Sequence, residues 1–300
     1  MDGKYLKIGV LAILVILLGA GVYMYAGGSE AEKIEKTGVV LEDGAKLGLV
    51  VPKYTVDELG ISSISDLEAH AGVFDGKITG IDAGAGIMEM AENAIKDYNL
   101  GSFELMASSE AGMLGALDTA IENEKHIVVT LWDPHWATGA YDIVYLEDPN
   151  LSFGEAESIE SWARPGLKAE DAVLAGLMER YTYEVSEFNG LLAHIENSAL
   201  DTGAATREWL DSNTETNNMW IGDATHQENR GEIEIGLVNW ACAVGSSNVL
   251  KHLLEDLGYT VNLTVVDAGV MYTGLANGDI DLITTAWVPL THKHYMEMYA

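Results

Sequence analysis

The sequence predicts an α/β fold whose sheet is mostly parallel. Short apolar runs that fit buried strands alternate along the chain with longer segments in which apolar residues recur at helical spacing. A strand at 77–81 leads through a glycine-rich turn into a helix that opens at Ile87, a connection typical of this architecture. The chain has 300 residues, of which 48% are hydrophobic, enough for one large two-lobed domain or two ordinary domains.

Each predicted element has its own local signal. Apolar runs or apolar–polar alternation predict strands at 45–52, 77–81, 127–132, 141–146, 233–240, 261–265 and 279–287. Helical spacing and polar capping residues predict a helix entry at 62–67 and helices at 87–98, 109–123, 246–257 and 269–277, with further helices inside 168–220. Polar residues without periodicity predict a linker at 216–231.

The N-terminal segment predicts a membrane anchor. Lys4 and Lys7 precede Ile8–Ala26, a stretch of nineteen residues without a charge. As a helix, this stretch would be about 28 Å long, close to the hydrocarbon thickness of a bilayer. The two lysines predict a cytoplasmic N-terminus with the rest of the chain outside. An uncleaved anchor is favoured because no clear cleavage site follows, and a cleaved signal peptide is the alternative.

Charge and cysteine content exclude several functions. Lys and Arg number 16 and Asp and Glu 47, so the formal net charge is −31. Such a surface repels phosphate, and a nucleic-acid partner is therefore not expected. Dispersed acidic residues keep a protein soluble at high salt, which suggests a saline habitat as a hypothesis. Cys242 is the only cysteine, so no disulfide can form within the chain.

Three tryptophans end three of the predicted strands. Trp132, Trp240 and Trp287 each lie at the carboxyl end of an apolar run, which is where α/β sheets place their ligands. Three indoles around one pocket would attract a cation that has no N–H group to donate. The alternative is that each indole only packs in the core.

Two further features could hold an anion. The turn at 80–86 is rich in glycine and precedes a helix whose first N–H groups, near Gly86 and Ile87, carry partial positive charge. His292 follows Trp287 by five residues and could donate a hydrogen bond to the same carboxylate. A tight turn and an uninvolved surface histidine are the alternatives. No nucleophile elbow, metal-ligand spacing or phosphate-binding motif is present, so neither an enzyme nor a metal or cofactor is predicted.

The motifs together resemble the glycine betaine/proline betaine substrate-binding proteins of ABC transporters. The resemblance rests on segments 80–88, 130–136, 238–240 and 286–293, with 48–52 and 257–259 as further support. It implies a two-lobed periplasmic-binding-protein-like fold with a ligand cleft between the lobes, preceded here by one transmembrane helix. It implies a cation cage formed by Trp132, Trp240 and Trp287, and a carboxylate site formed by Gly86, Ile87 and His292.

The order of the segments differs from that of common family members. The Gly-Leu-Val-Val-Pro block at 48–52 often follows the Thr-His-Lys motif, whereas here it comes first, which indicates a circular permutation. Truncation of a longer chain is the other explanation. A permuted chain predicts the following division: an anchor at 1–27, a tether at 28–37, one lobe from 38–75 with 232–300, and the other lobe from 76–231.

The expected function is therefore capture of glycine betaine or a related quaternary ammonium osmoprotectant, and delivery to the permease and ATPase subunits of an ABC transporter. The binding domain is expected on the extracellular or periplasmic side of the membrane. A sensory ectodomain for the same ligands and a choline or ectoine receptor are the alternatives.

Overall fold

One mixed β-sheet runs through the part of the chain that the computed structural model describes, residues 33–300. Its strands are β1 Glu35–Pro52, β2 Lys77–Thr79, β3 Glu104–Met106, β4 Val129–Asp133, β5 Ile143–Tyr145, β6 Glu157–Ala163, β7 Gly231–Leu237, β8 Tyr259–Val265 and β9 Leu282–Val288. The strand order is β3-β2-β4-β1-β6-β9-β7-β8, and β5 pairs with β1 off this path.

Helices cover this sheet. They are α1 Lys53–Leu59, α2 Gly86–Asp97, α3 Glu110–Glu122, α4 Ala137–Ala140, α5 Leu167–Glu170, α6 Ala172–Arg180, α7 Val185–Asn197, α8 Thr202–Ser212, α9 Thr214–Ile221, α10 Ala241–Leu257, α11 Ala268–Asn277 and α12 Lys293–Tyr299. Two short 3-10 helices, Ile64–Asp66 and Glu68–Phe74, follow α1. The first is capped by Ser63, in keeping with the polar helix entry predicted there.

The long strand β1 joins two halves of the sheet, which form the two lobes of the fold. Its first part, residues 35–45, pairs with β6, while residues 46–52 pair with β4 and β5. Lobe 1 contains β2–β5 with the second part of β1 and helices α1–α4. Lobe 2 contains β6–β9 with the first part of β1 and helices α5–α12.

This strand pairing divides the chain differently from the sequence prediction. Residues 46–75, predicted beside 232–300, lie in lobe 1 because β1 pairs with β4 there. Residues 157–230, predicted with 76–156, lie in lobe 2 because β6 pairs with β9. Strand β6 was not predicted, since the polar Glu157 and Ser161 occupy buried positions in its alternating pattern.

Three finer predictions are also corrected. The sheet is mixed rather than mostly parallel, because β1 and β6 each run antiparallel to their neighbours. Helix α10 begins at Ala241, because the hydroxyls of Ser246 and Ser247 bond to Thr284 inside the lobe instead of capping a helix. The predicted linker at 216–231 is helical as far as Ile221, since the buried Trp220 ties it to the core.

The predicted anchor, residues 1–27, lies outside the described residues. The predicted tether at 28–37 enters them only at its end, where residues 35–37 already belong to β1. Between residues 33 and 300, no helix has the length and apolar character needed to cross a bilayer.

Candidate ligand site between the lobes

The three tryptophans line one cavity between the lobes. Trp132 comes from the end of β4 in lobe 1, whereas Trp240, at the start of α10, and Trp287, in β9, come from lobe 2. The other lining residues of the cavity are Leu47, Ile81, Ala85, Gly86, Ile87 and Thr291. The rings of Trp132 and Trp240 have centroids 6.4 Å apart and planes inclined by 58°. Aromatic walls from both lobes therefore enclose one space.

Backbone register sets the position of each wall. Trp132 lies opposite Leu47 in the β1–β4 pair, so both residues reach the cavity from neighbouring strands. Trp287 lies opposite Ile159 in the β6–β9 pair. The indole N–H of Trp240 points to Asp82 of lobe 1, with 3.4 Å between Nε1 and Oδ2. The cage is thus held by strands of each lobe and by one contact across the cleft.

The amino end of α2 supplies backbone donors at the cavity. Gly86 and Ile87 are the first two residues of this helix, and the preceding Ala85 provides no side-chain cap. Within residues 33–300, the N–H groups of Gly86 and Ile87 have no hydrogen-bond partner. Unpaired N–H groups at a helix start carry partial positive charge and attract anions. This end of the cavity is therefore suited to a carboxylate.

His292 lies fully buried beside the cage. Its Nδ1 accepts a hydrogen bond from the backbone N–H of Trp287 at 3.1 Å, and the Tyr272 hydroxyl lies 2.9 Å from the same atom. Because a backbone N–H can only donate, Nδ1 carries no proton and the ring proton is on Nε2. Nε2 has no partner among the described residues, and the ring centroid lies 6.1 Å from that of Trp240.

Burial fixes the charge of this imidazole. Removal from water, with a smaller effect from His294, lowers the pKa of His292 to about 3. The ring is therefore neutral near neutral pH. The neutral ring has one N–H donor, at Nε2. It can donate a hydrogen bond to a carboxylate without itself carrying a buried charge.

A buried carboxylate holds the loop that precedes His292. Glu157 of β6 accepts hydrogen bonds from the N–H groups of Leu290 and Thr291, at 2.9 and 3.0 Å, and from the Thr291 hydroxyl at 2.5 Å. These contacts set the path of the chain between β9 and α12. Sequence reasoning missed Glu157, because nothing in its local pattern separates it from a surface acid.

His135 and Trp136, which follow Trp132 closely in the sequence, lie behind the cage. The ring of His135 meets Trp132 edge to face, with centroids 5.0 Å apart and an interplanar angle of 83°. Trp136 packs on His135 at 5.4 Å. Neither residue lines the cavity.

Comparison with known proteins places the chain in a family. A family model described as the substrate binding domain of ABC-type glycine betaine transport systems matches residues 20–212 and 231–300. The chain belongs to this family. Members of the family are non-enzymatic components of transporters, so no reaction is expected at the site.

Three relatives illustrate this membership. The glycine betaine/carnitine transport binding protein GbuC of Listeria monocytogenes is 32% identical over 224 residues, which cover 74% of each chain. The crystal structure of the glycine betaine, L-proline-binding protein ProX of Borrelia burgdorferi has 34% identity and a TM-score of 0.59, covering 64% of this chain and 71% of its own. Lactococcal OpuAC, solved closed with glycine betaine, has 33% identity and a TM-score of 0.56, covering 63% and 71%. These matches support the two-lobed binding-protein fold.

The structure brings the six predicted ligand residues together. Five of them line the cavity: Trp132, Trp240, Trp287, Gly86 and Ile87. His292 does not line it, but bonds to the backbone of Trp287 and faces Trp240. Leu47 and Thr291 were not predicted as lining residues. Thr291 lies in a segment that the family resemblance had marked, and Leu47 directly precedes another, which was the available signal.

Proposed function

We propose that this family member captures glycine betaine, or a closely related quaternary ammonium osmoprotectant, and delivers it to an ABC permease. The observation that carries the proposal is the cavity shared by Trp132, Trp240 and Trp287. Ring faces attract a cation without needing a hydrogen bond, each contributing about 0.5–2 kcal/mol when desolvated. A trimethylammonium group, which has no N–H to satisfy, suits such walls.

The donors beside the cage support a zwitterion as the ligand. Within the described part of the chain, the N–H groups of Gly86 and Ile87 have no partner, and neither does the buried donor Nε2 of His292. A buried donor without an acceptor costs about 1–3 kcal/mol, so a bound carboxylate would remove a penalty. Lactococcal OpuAC and GbuC, whose names refer to glycine betaine, are relatives of this chain and agree with this choice.

Choline is the less favoured ligand for a physical reason. It shares the trimethylammonium group but ends in a hydroxyl, which compensates these donors less well than a carboxylate does. Proline betaine carries a carboxylate and an alkylated nitrogen without an N–H group, so it belongs to the proposed class. Ectoine carries a carboxylate, but its delocalised cation has N–H groups, so an ectoine receptor is an alternative outside this class.

A ligand screen tests the proposal. Thermal shift and calorimetry with glycine betaine, proline betaine, carnitine, ectoine and choline should show the largest stabilisation and tightest binding with a betaine. Glycine, which has the same carboxylate without the methyl groups, is the matched control and should bind far more weakly. Absence of any betaine response, or stronger binding of choline, would contradict the proposal.

We also propose that residues 8–26 anchor the protein, with the binding domain on the extracellular or periplasmic side. Support comes from the nineteen uncharged residues between Lys7 and Gly27. Expression of the full chain and of residues 28–300, followed by membrane fractionation, tests this. The full chain should pellet with membranes and the shorter chain should not.

We infer that the chain is a circular permutant of the common family order. Such a permutation requires that the ends of the fold be adjacent, and the Ile34 N–H donates to the Tyr299 carbonyl at 3.0 Å. A relative with the common segment order can be superposed on this chain without regard to the order of segments along the sequence. Residues 35–75 should then overlie the relative's carboxyl-terminal segment. Overlay on its amino-terminal segment would contradict the inference.

A further inference from the structure

Polar contacts across the cleft converge on the segment Trp132–Trp136 of lobe 1. Asn189 of α7, in lobe 2, makes two of them. Its Oδ1 accepts a hydrogen bond from the His135 backbone N–H at 2.9 Å, and its Nδ2 donates to Asp133 Oδ1 at 2.7 Å. The side-chain amide of Asn189 therefore both donates to and accepts from the segment that begins with the cage residue Trp132.

A carboxylate of lobe 1 makes the reciprocal contact. Glu110, the first residue of α3, is buried, and its two oxygens lie 3.2 and 3.0 Å from the backbone nitrogen of Ala241 in lobe 2. Ala241 is the first residue of α10, whose amino end favours a negative charge. Glu110 thus caps a helix of the opposite lobe.

Glu110 also holds His135. The Ala137 N–H donates to His135 Nδ1 at 3.0 Å, so the ring proton lies on Nε2, which is 3.1 Å from Glu110 Oε1. The same ring packs edge to face on Trp132, while Ala241 directly follows Trp240. The Glu110 carboxylate therefore contacts both His135, which packs on Trp132, and Ala241, which follows Trp240. These two cage tryptophans belong to different lobes.

We propose that Glu110 and Asn189 are positioning residues, which form a latch across the cleft and slow the release of bound ligand. Neither residue lines the cavity, so neither contacts the ligand. Their partners Asp133, His135 and Ala241 lie in the opposite lobe, so separation of the lobes would break these contacts. The latch thus acts after ligand capture. This inference rests on the proposed function.

Stopped-flow tryptophan fluorescence with glycine betaine tests the latch. In Glu110→Ala, the dissociation rate should rise by about tenfold, because charge-assisted hydrogen bonds across the cleft are lost, while the association rate stays within about twofold. Glu110→Gln, which keeps one acceptor oxygen, should fall between this variant and the wild type. Asn189→Ala should also raise the dissociation rate. Glu122→Gln, at the exposed end of the same helix, is the control and should match the wild type.

A thermal midpoint measured without ligand separates a latch from a merely structural role. For Asn189→Ala, which loses two side-chain hydrogen bonds that both cross the cleft, the proposal expects an unliganded midpoint close to that of the wild type, together with a smaller ligand-induced rise. An unchanged dissociation rate in Glu110→Ala, with or without a lower midpoint, would overturn the latch. A wild-type protein that shows no betaine signal would instead contradict the proposed function.

Discussion

Trp287 presents its indole to the cavity from the carboxyl end of β9, where pairing with Ile159 of β6 fixes its position. In Trp287→Ala, we expect glycine betaine to bind at least about tenfold more weakly, since one cation–π contact and its apolar surface are removed. Isothermal titration calorimetry measures the change directly.

Trp162 provides the control for this substitution. It lies on the neighbouring strand β6, with its indole N–H bonded to Glu160, and it does not line the cavity. Trp162→Ala should leave the affinity within about twofold, because no cation–π contact is lost. Equal affinity in Trp287→Ala and the wild type would show that the cage is wrongly assigned.

His292 makes stability depend on pH in a defined direction. Its pKa is 6.5 in an exposed chain and about 3 in the fold, so between these values the unfolded chain binds a proton that the folded chain does not. The free energy of unfolding therefore decreases as the pH falls from about 6.5 toward 3. The imidazole contribution is fully present above this window.

Denaturant unfolding of the wild type and of His292→Asn at pH 7.5, 5.5 and 4.5 measures this effect. The stability of the wild type relative to the variant should decrease as the pH falls, because the other titrating groups are shared by both chains. A difference that stays constant across the three pH values would contradict the assignment.

The amino end of α2 lies directly against the other lobe. A Cβ added to Gly86 would lie 2.1 Å from the carbonyl oxygen of Thr291, which belongs to the other lobe. Gly86→Ala should therefore hinder closure and weaken ligand binding by about tenfold or more, a cost typical of overpacking. Calorimetry gives the affinity, and circular dichroism checks that each variant folds.

Gly84, in the same turn, is the matched control. A Cβ there would meet nothing within 4 Å, so Gly84→Ala should bind ligand like the wild type. If both alanine variants bind equally well, close approach of the lobes at Gly86 does not govern binding.

Most elements were predictable from local pattern. The helices α2 and α3 were predicted with bounds within a residue or two of those observed, and Ser109 caps α3 as the sequence indicated. Strands β4, β7 and β9 were predicted because each leads into an uncharged run that ends in a tryptophan, at 127–132, 235–240 and 282–287. The residues of the cage followed from the ends of these strands.

What local pattern could not supply was the pairing between distant segments. β1 extends ten residues further toward the amino terminus than predicted, because its polar positions pair with β6, more than a hundred residues away. Glu157 and Glu110 read as surface acids in the sequence, since their buried partners lie in other segments. For that reason, the lobe boundaries and the contacts across the cleft could not be predicted from local sequence and required the three-dimensional structure.

The whole molecule carries far more acidic than basic groups, with a formal net charge of −31. Repulsion among these groups destabilises the folded chain at low ionic strength, and salt screens it as the Debye length falls from about 30 Å at 0.01 M to 3 Å at 1 M. The free energy of unfolding should therefore be higher in molar KCl than in dilute buffer.

Urea unfolding at the two salt concentrations measures this difference. Sucrose at matched osmolality is the control, because it strengthens burial without screening charge. Equal stability in dilute buffer and in molar KCl would count against charge repulsion, and against adaptation to a saline habitat.

Strand β1 is shared by both lobes, with β6 beside one part of it and β4 and β5 beside the other. Loss of this strand would expose backbone hydrogen-bonding groups in both halves at once, so neither lobe can melt while the other stays intact. Scanning calorimetry of residues 28–300 should show one heat-absorption peak with equal calorimetric and van't Hoff enthalpies, and two separate peaks would contradict this. The two halves of the sheet, joined by one continuous strand, therefore share a single fate on heating.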